Sequence, residues 1–185
     1  MRNTRVALLL FISCFSMAWA QSPTDGQTQA NSYINSYFHF VYKCPQILHP
    51  VDTASIKTQP PANSTKEFLL FSAQQGSEPF GIMILAEKPN FHRQLPSGIT
   101  ESEDLIEHIK KWWDPKGQPI ILSETHFKNP SGLIVYDLEY MIFGEYDAAV
   151  VTQIGEFQIV FRCNAKSRED LMEMTRSAGE IQLQK

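Results

Sequence analysis

Residues 31–45 read NSYINSYFHFVYKCP, a run in which tyrosine and phenylalanine crowd together before the chain reaches Cys44-Pro45. From Ser36 the pattern is regular: Tyr37, His39, Val41 and Lys43 alternate with Phe38, Phe40, Tyr42 and Cys44. Aromatic and β-branched residues suit the pleated, packed surface of a strand, and both alternating sets contain them. The spacing predicts an inner strand buried on both faces, which Pro45 ends because proline has no N–H for a sheet ladder.

Upstream of this run the chain opens like an export signal. Arg2 and Arg5 give a basic start, Val6 to Ile12 an apolar stretch too short to span a bilayer, and Ala18-Trp19-Ala20 a small-residue cleavage site. Residues 1–20 are therefore set aside as a signal peptide, which predicts a secreted or periplasmic protein. An alternative treats Phe11-Ile12-Ser13-Cys14 as a loose lipobox, with a lipid on Cys14 as the only route to a membrane anchor. The next ten residues, QSPTDGQTQA (21–30), are polar and aperiodic and read as a flexible leader. Residues 31–185 remain as one domain, long enough for a sizeable core.

Removing the signal takes two arginines and no acid, leaving 14 basic and 20 acidic residues and a formal charge of −6. An acidic chain without a basic run offers no electrostatic footprint for nucleic acid. Two cysteines survive processing, Cys44 and Cys163. In an exported protein such a pair is a candidate disulfide, with two buried free thiols as the alternative. There is no C-x-x-C, so nothing points to a thioredoxin-like redox role.

Downstream, Pro50, Pro60 and Pro61 mark a long loop, and EFLLFSAQ (67–74) and FGIMILAE (80–87) form a hairpin around QGSEP. Thr100 with Glu103 is a capping box, and Leu105, Ile106, Ile109, Trp112 and Trp113 share one face of the predicted helix after it. The tryptophan pair invites a sugar-stacking or partner-binding reading, but helical spacing assigns at least one ring to the core. Four strands follow over 119–127, 132–143, 146–154 and 157–163, the last two joined by a Gly155-Glu156 turn of type II′. Ser167 and Asp170 then box a closing helix whose Leu171, Met174, Ala178 and Ile181 fall on one face. The expected class is α+β: about seven mostly antiparallel strands covered by helices.

The aromatic run fits a pattern Y-x-N-x-Y-F-x-F-x-Y-x-x-P through Tyr33, Asn35, Tyr37, Phe38, Phe40, Tyr42 and Pro45. With the order of elements, this resembles the PsbP-like and Ran-binding Mog-like superfamily, an α/β/α sandwich. The resemblance implies a non-enzymatic role, because members generally dock on other proteins. It transfers no site residue, since the matching positions are structural.

Candidate chemistry is sparse. In Ser123-Glu124-Thr125-His126, Glu124 and His126 share one face of a strand, where a carboxylate and an imidazole can hold a metal or pass a proton. A metal site needs a third ligand, from His92, His39 or His49, and ordinary polar alternation on a solvent-facing strand gives the same pattern. No nucleophile elbow, H-E-x-x-H, P-loop or G-x-G-x-x-G is present, and no cofactor is expected. Asn63-Ser64-Thr65 fits a glycosylation sequon. For binding, Phe91, His92 and Arg93 in one loop, and residues 127–130 in another, carry interface-rich residue types. A small-ligand pocket lined by Tyr136, Tyr140, Trp112 and Trp113 is a further possibility. The leading expectation is an exported, non-catalytic accessory protein with a protein partner; the alternatives are a metal-dependent enzyme and a ligand binder.

Overall fold

Among the described residues, eleven strands build two sheets. The computed structural model describes residues 22–53, 67–88, 106 and 119–184. The strands are β1 (Gly26–Gln29), β2 (Ser32–Asn35), β3 (Phe40–Lys43), β4 (His49–Pro50), β5 (Glu67–Gln74), β6 (Gly81–Glu87), β7 (Ile120–Lys128), β8 (Ile134–Ile142), β9 (Glu145–Ile154), β10 (Phe157–Ala165) and β11 (Gln182–Leu183). Helix α1 (Arg168–Gly179) lies between the last two strands. One sheet has the order β1-β2-β3-β11 and the other β4-β5-β6-β10-β9-β8-β7, and every pairing is antiparallel.

The downstream reading holds closely. The hairpin of β5 and β6, the meander from β7 to β10 and the closing helix all lie where the sequence placed them, within a residue or two. Ile154 pairs with Phe157, so Gly155 and Glu156 form a two-residue turn, and Gly155 takes the positive φ of 60° that its first position requires. Ser167 caps α1 by accepting from the Asp170 N–H at 3.1 Å. Leu171, Met174 and Ala178 are buried along one face of the helix, and Ile181 is buried just beyond it.

Two upstream expectations are corrected. The aromatic run is not one strand buried on both faces. It folds back at residues 36–39 into β2 and β3, because the Asn35 side-chain oxygen Oδ1 accepts from the Phe38 N–H at 2.9 Å and His39 adopts a left-handed φ of 53°. Only one face is then packed: Tyr33, Phe38, Phe40 and Tyr42 are buried while His39 and Lys43 are exposed. The second correction concerns residues 21–30, expected as a flexible leader. Gly26–Gln29 is instead an edge strand paired with β2. The Tyr33 ring lies across Gly26, so closely that a Cβ there would overlap it, and Asn35 Nδ2 donates to the Pro23 carbonyl at 2.9 Å.

Residues paired across an antiparallel ladder share a face, so the registers sort the large sheet into two sides. One side packs Phe71, Ile84, Val150 and Phe161 against the small sheet and α1. The other gathers Leu85, Leu138, Val151 and Val160 around Ile106, which is helical and 4% exposed. Of the helix expected to begin at Thr100, only Ile106 falls within the described residues; the tryptophan pair and the sequon lie outside them. Among the described residues no helix is long and apolar enough to cross a membrane.

If residues 21–30 are structure rather than tether, trimming a protein that begins at Gln21 to begin at Asn31 removes β1 and the Asn35 anchor. Its melting temperature should fall by about 3–6 °C, a loss of roughly 1–2 kcal/mol. An unchanged melt would restore the leader reading.

Candidate functional site

Edge strand β7 carries Glu124 and His126 on one face of the sheet, both exposed. Their registers with Leu138 and Tyr136 put them on the side that holds Ile106, and the His126 ring stacks on Tyr136 with centroids 5.8 Å apart. The shared face expected from alternation is therefore present. The candidate third ligands are not brought to it. His49 lies on β4, the opposite edge of the seven-stranded sheet; His39 lies in the β2–β3 turn; His92, with Phe91 and Arg93, falls outside the described residues. Among the described residues no group of three or more His, Cys, Asp or Glu side chains is placed to hold a metal ion.

Cys44 and Cys163 are both buried free thiols within one apolar cluster, the second of the two arrangements the sequence allows. Burial pushes the Cys44 thiol up to about 11 and raises that of Cys163 well above its ordinary value. Both are held as neutral S–H groups, the form that is neither nucleophile nor metal ligand. Burial likewise raises the Tyr42 hydroxyl well above its ordinary value, in electrostatic reach of both thiols and beside the Ser177 side chain.

Sequence reasoning passed over a pair of carboxylates on β8. Asp137 and Glu139 alternate onto the face covered by α1, where Glu139 is 7% exposed and Thr175 Oγ1 donates to its Oε1 at 3.2 Å. One Asp137 oxygen is buried with no hydrogen-bond partner. Burial, and then the charge of Glu139, raise the Asp137 carboxyl to about 7. The signal was present in the sequence, since Asp137 and Glu139 fall on the opposite side of β8 from Tyr136, Leu138 and Tyr140. It was hidden because an acidic residue in alternation ordinarily marks the solvent side.

The loop at 127–130, offered as a binding surface, serves the fold. Asn129 is buried, donates to the Gly179 and Ile181 carbonyls at 3.1 and 3.0 Å, and accepts from the Ser131 and Leu133 N–H groups at 3.0 Å each. The Phe127 ring rests against Gly179. These bonds tie the β7–β8 turn to the end of α1. Tyr136 and Tyr140, expected to line a pocket, are partly buried and pack against the cluster around Ile106.

With this geometry in hand, the chain was compared with known proteins. No family model matches it, and no curated protein matches it. Among solved structures it matches the solution structure of cyanobacterial PsbP (CyanoP) from Synechocystis sp. PCC 6803. The match covers 92% of this chain and 97% of that one, at 16% identity and a TM-score of 0.58. The chain has a PsbP-like fold. At this identity the PsbP likeness is one of architecture alone.

Two outcomes follow from the buried groups. Below about pH 4 Asp137 is protonated folded or unfolded. Between there and pH 7 only the folded state keeps the proton, so the group's contribution to stability is present at acid pH and lost as pH rises to 7. Asp137→Asn should therefore raise the melting temperature by about 5 °C at pH 8 and leave it nearly unchanged at pH 4; equal gains at both would refute the shift. For the cysteines, Ellman's reagent should find no reactive thiol in the native mature protein and two in guanidinium without reductant, where a disulfide would give none.

Proposed function

We propose that the protein is an exported, non-catalytic accessory module of the cell envelope that works by docking on another protein. The observation that carries this reading is the PsbP-like fold over nearly the whole chain; docking is the role that the superfamily resemblance implies. The reading extends that likeness to the wider Mog-like group and to a full α/β/α sandwich. Burial of the helical Ile106 against Leu85 and Leu138 supports a helix over the second face. Export rests on the basic start, apolar stretch and Ala18-Trp19-Ala20. The placement of the titratable groups agrees with a binding role. Asp137, Glu139 and both thiols are packed into the fold, and Glu124 and His126 sit on an exposed edge strand as solvated polar residues do.

The test is to crosslink the tagged full-length protein in the cells that produce it and identify what co-purifies with the envelope fraction. One reproducible partner in near-stoichiometric yield is expected, with no metal retained by the purified protein. A protein that sediments alone and holds stoichiometric metal, lost in both Glu124→Ala and His126→Ala, would instead make it a metal-dependent enzyme.

A further inference from the structure

The β8–β9 hairpin carries an aromatic residue that neither the turn nor the core requires. Ile142 pairs with Glu145, leaving Phe143 and Gly144 as a two-residue turn with φ values of 52° and 84°. Two successive positive φ angles define a type I′ turn, whose first position favours Asn, Asp or Gly. A phenylalanine there meets the steric penalty of the left-handed region. The residue is also 86% exposed, so no burial offsets that penalty. Strained conformations of this kind persist where function uses them.

The surroundings of the tip define what it would meet. On the neighbouring strand Ile120 and Ile121 are 57% and 42% exposed, paired with Met141 and Tyr140, and extend the apolar surface from the turn across the end of the sheet. Beside the tip, Asn164 Nδ2 donates to Asp147 Oδ1 at 2.8 Å and to Glu145 Oε2 at 3.4 Å, holding two carboxylates side by side. Among the described residues neither carboxylate has an ion-pair partner. The second oxygen of Asp147 is buried without a hydrogen bond. The exposed Glu145 carboxylate, with the Asp147 charge behind it, is complementary to a lysine or arginine.

We propose that this hairpin tip is a docking surface for a partner protein, with Phe143 entering an apolar socket and the exposed Glu145 carboxylate, reinforced by the Asp147 charge behind it, meeting a lysine or arginine beside it. The proposal rests on the accessory reading and gives it a location. Exposed aromatics flanked by specific charges are the usual anchors of protein interfaces. A second copy of this chain would bring the same carboxylates face to face, and an anionic lipid surface would repel them.

The test uses the full-length protein in the cells that make it, with the photocrosslinker p-benzoyl-phenylalanine at position 143 and, separately, at Met172 on α1. Position 143 should yield adducts with one protein, in a segment where apolar residues adjoin a lysine or arginine. The yield should drop about tenfold in the Glu145→Gln, Asp147→Asn double variant. Phe143→Asn, which installs the Asn-Gly sequence preferred in a I′ turn, should melt no lower than the wild type and yet lose capture of the same partner by the tagged chain. Adducts on lipid, on a second copy, or on many proteins without dependence on Glu145 and Asp147 would overturn the proposal. A single partner crosslinked from Met172 alone would overturn it while leaving the accessory reading intact. Absence of any partner, both here and on the tagged chain, would overturn both.

Discussion

Everything in this fold depends on one aromatic face meeting another. Tyr33, Phe38, Phe40 and Tyr42 project from the small sheet onto the large one. There Tyr33 lies 5.1 Å from Phe71, Phe38 5.1 Å from Phe157, and Tyr42 5.7 and 5.4 Å from Phe71 and Phe161. A fully buried aromatic side chain contributes on the order of 3–5 kcal/mol, judged by what its truncation costs. Tilted and edge-on ring pairs add about 1 kcal/mol each. A four-stranded sheet of short strands has too little ladder to stand alone, so β1, β2, β3 and β11 exist as a sheet because the large sheet supplies their second layer. The same constraint positions α1. Its Leu171, Met174 and Ala178 close the cluster beside the small sheet, and Asn129 fastens its last turn to the β7–β8 loop.

How much of this was legible in the sequence follows from what each signal measures. Local periodicity and turn chemistry report on the chain's own neighbourhood. Strands β5 to β10, the Gly155-Glu156 turn and the Ser167 cap, which depend on it, were read nearly to the residue. The aromatic run was read with the right residues and the wrong geometry. Composition alone cannot distinguish a strand packed on both faces from two strands packed on one. The distinguishing feature was the turn-forming Asn35-Ser36 inside the run, where the Asn35 side chain reaches the Phe38 N–H. Residues 21–30 were read as leader because β1 is an edge strand held by backbone pairing, Tyr33 and Asn35, and only its partners mark it as structure.

The site was less legible than the fold, for a physical reason. Chemistry in a sequence is recognised by residue type, whereas reactivity is set by environment. Glu124 and His126 have the types that catalysis uses, yet they sit on an exposed edge strand, with His49 across the full width of the sheet. Asp137 has an ordinary type and an unusual environment, because α1 covers it and Glu139 stands two residues away. Its destabilising burial requires the packing around it to be strong enough to carry it, and the aromatic interface is the part of the structure with that capacity.

The same reasoning separates two of the places where residues sit against local preference. At Asp137 the misfit is internal, and its consequence is confined to stability and its dependence on pH. At Phe143 the misfit is external, since an 86% exposed residue on a left-handed backbone offers the folded monomer nothing in return. A substitution to asparagine would suit the turn better, so folding by itself gives no reason for phenylalanine there. On the docking proposal, a residue that breaks local rules at the tip of this hairpin, while β5 to β10 otherwise follow them, draws its compensation from outside the molecule. In a chain whose cysteines and Asp137–Glu139 carboxylates are committed to packing, that surface is where the proposed docking would take place.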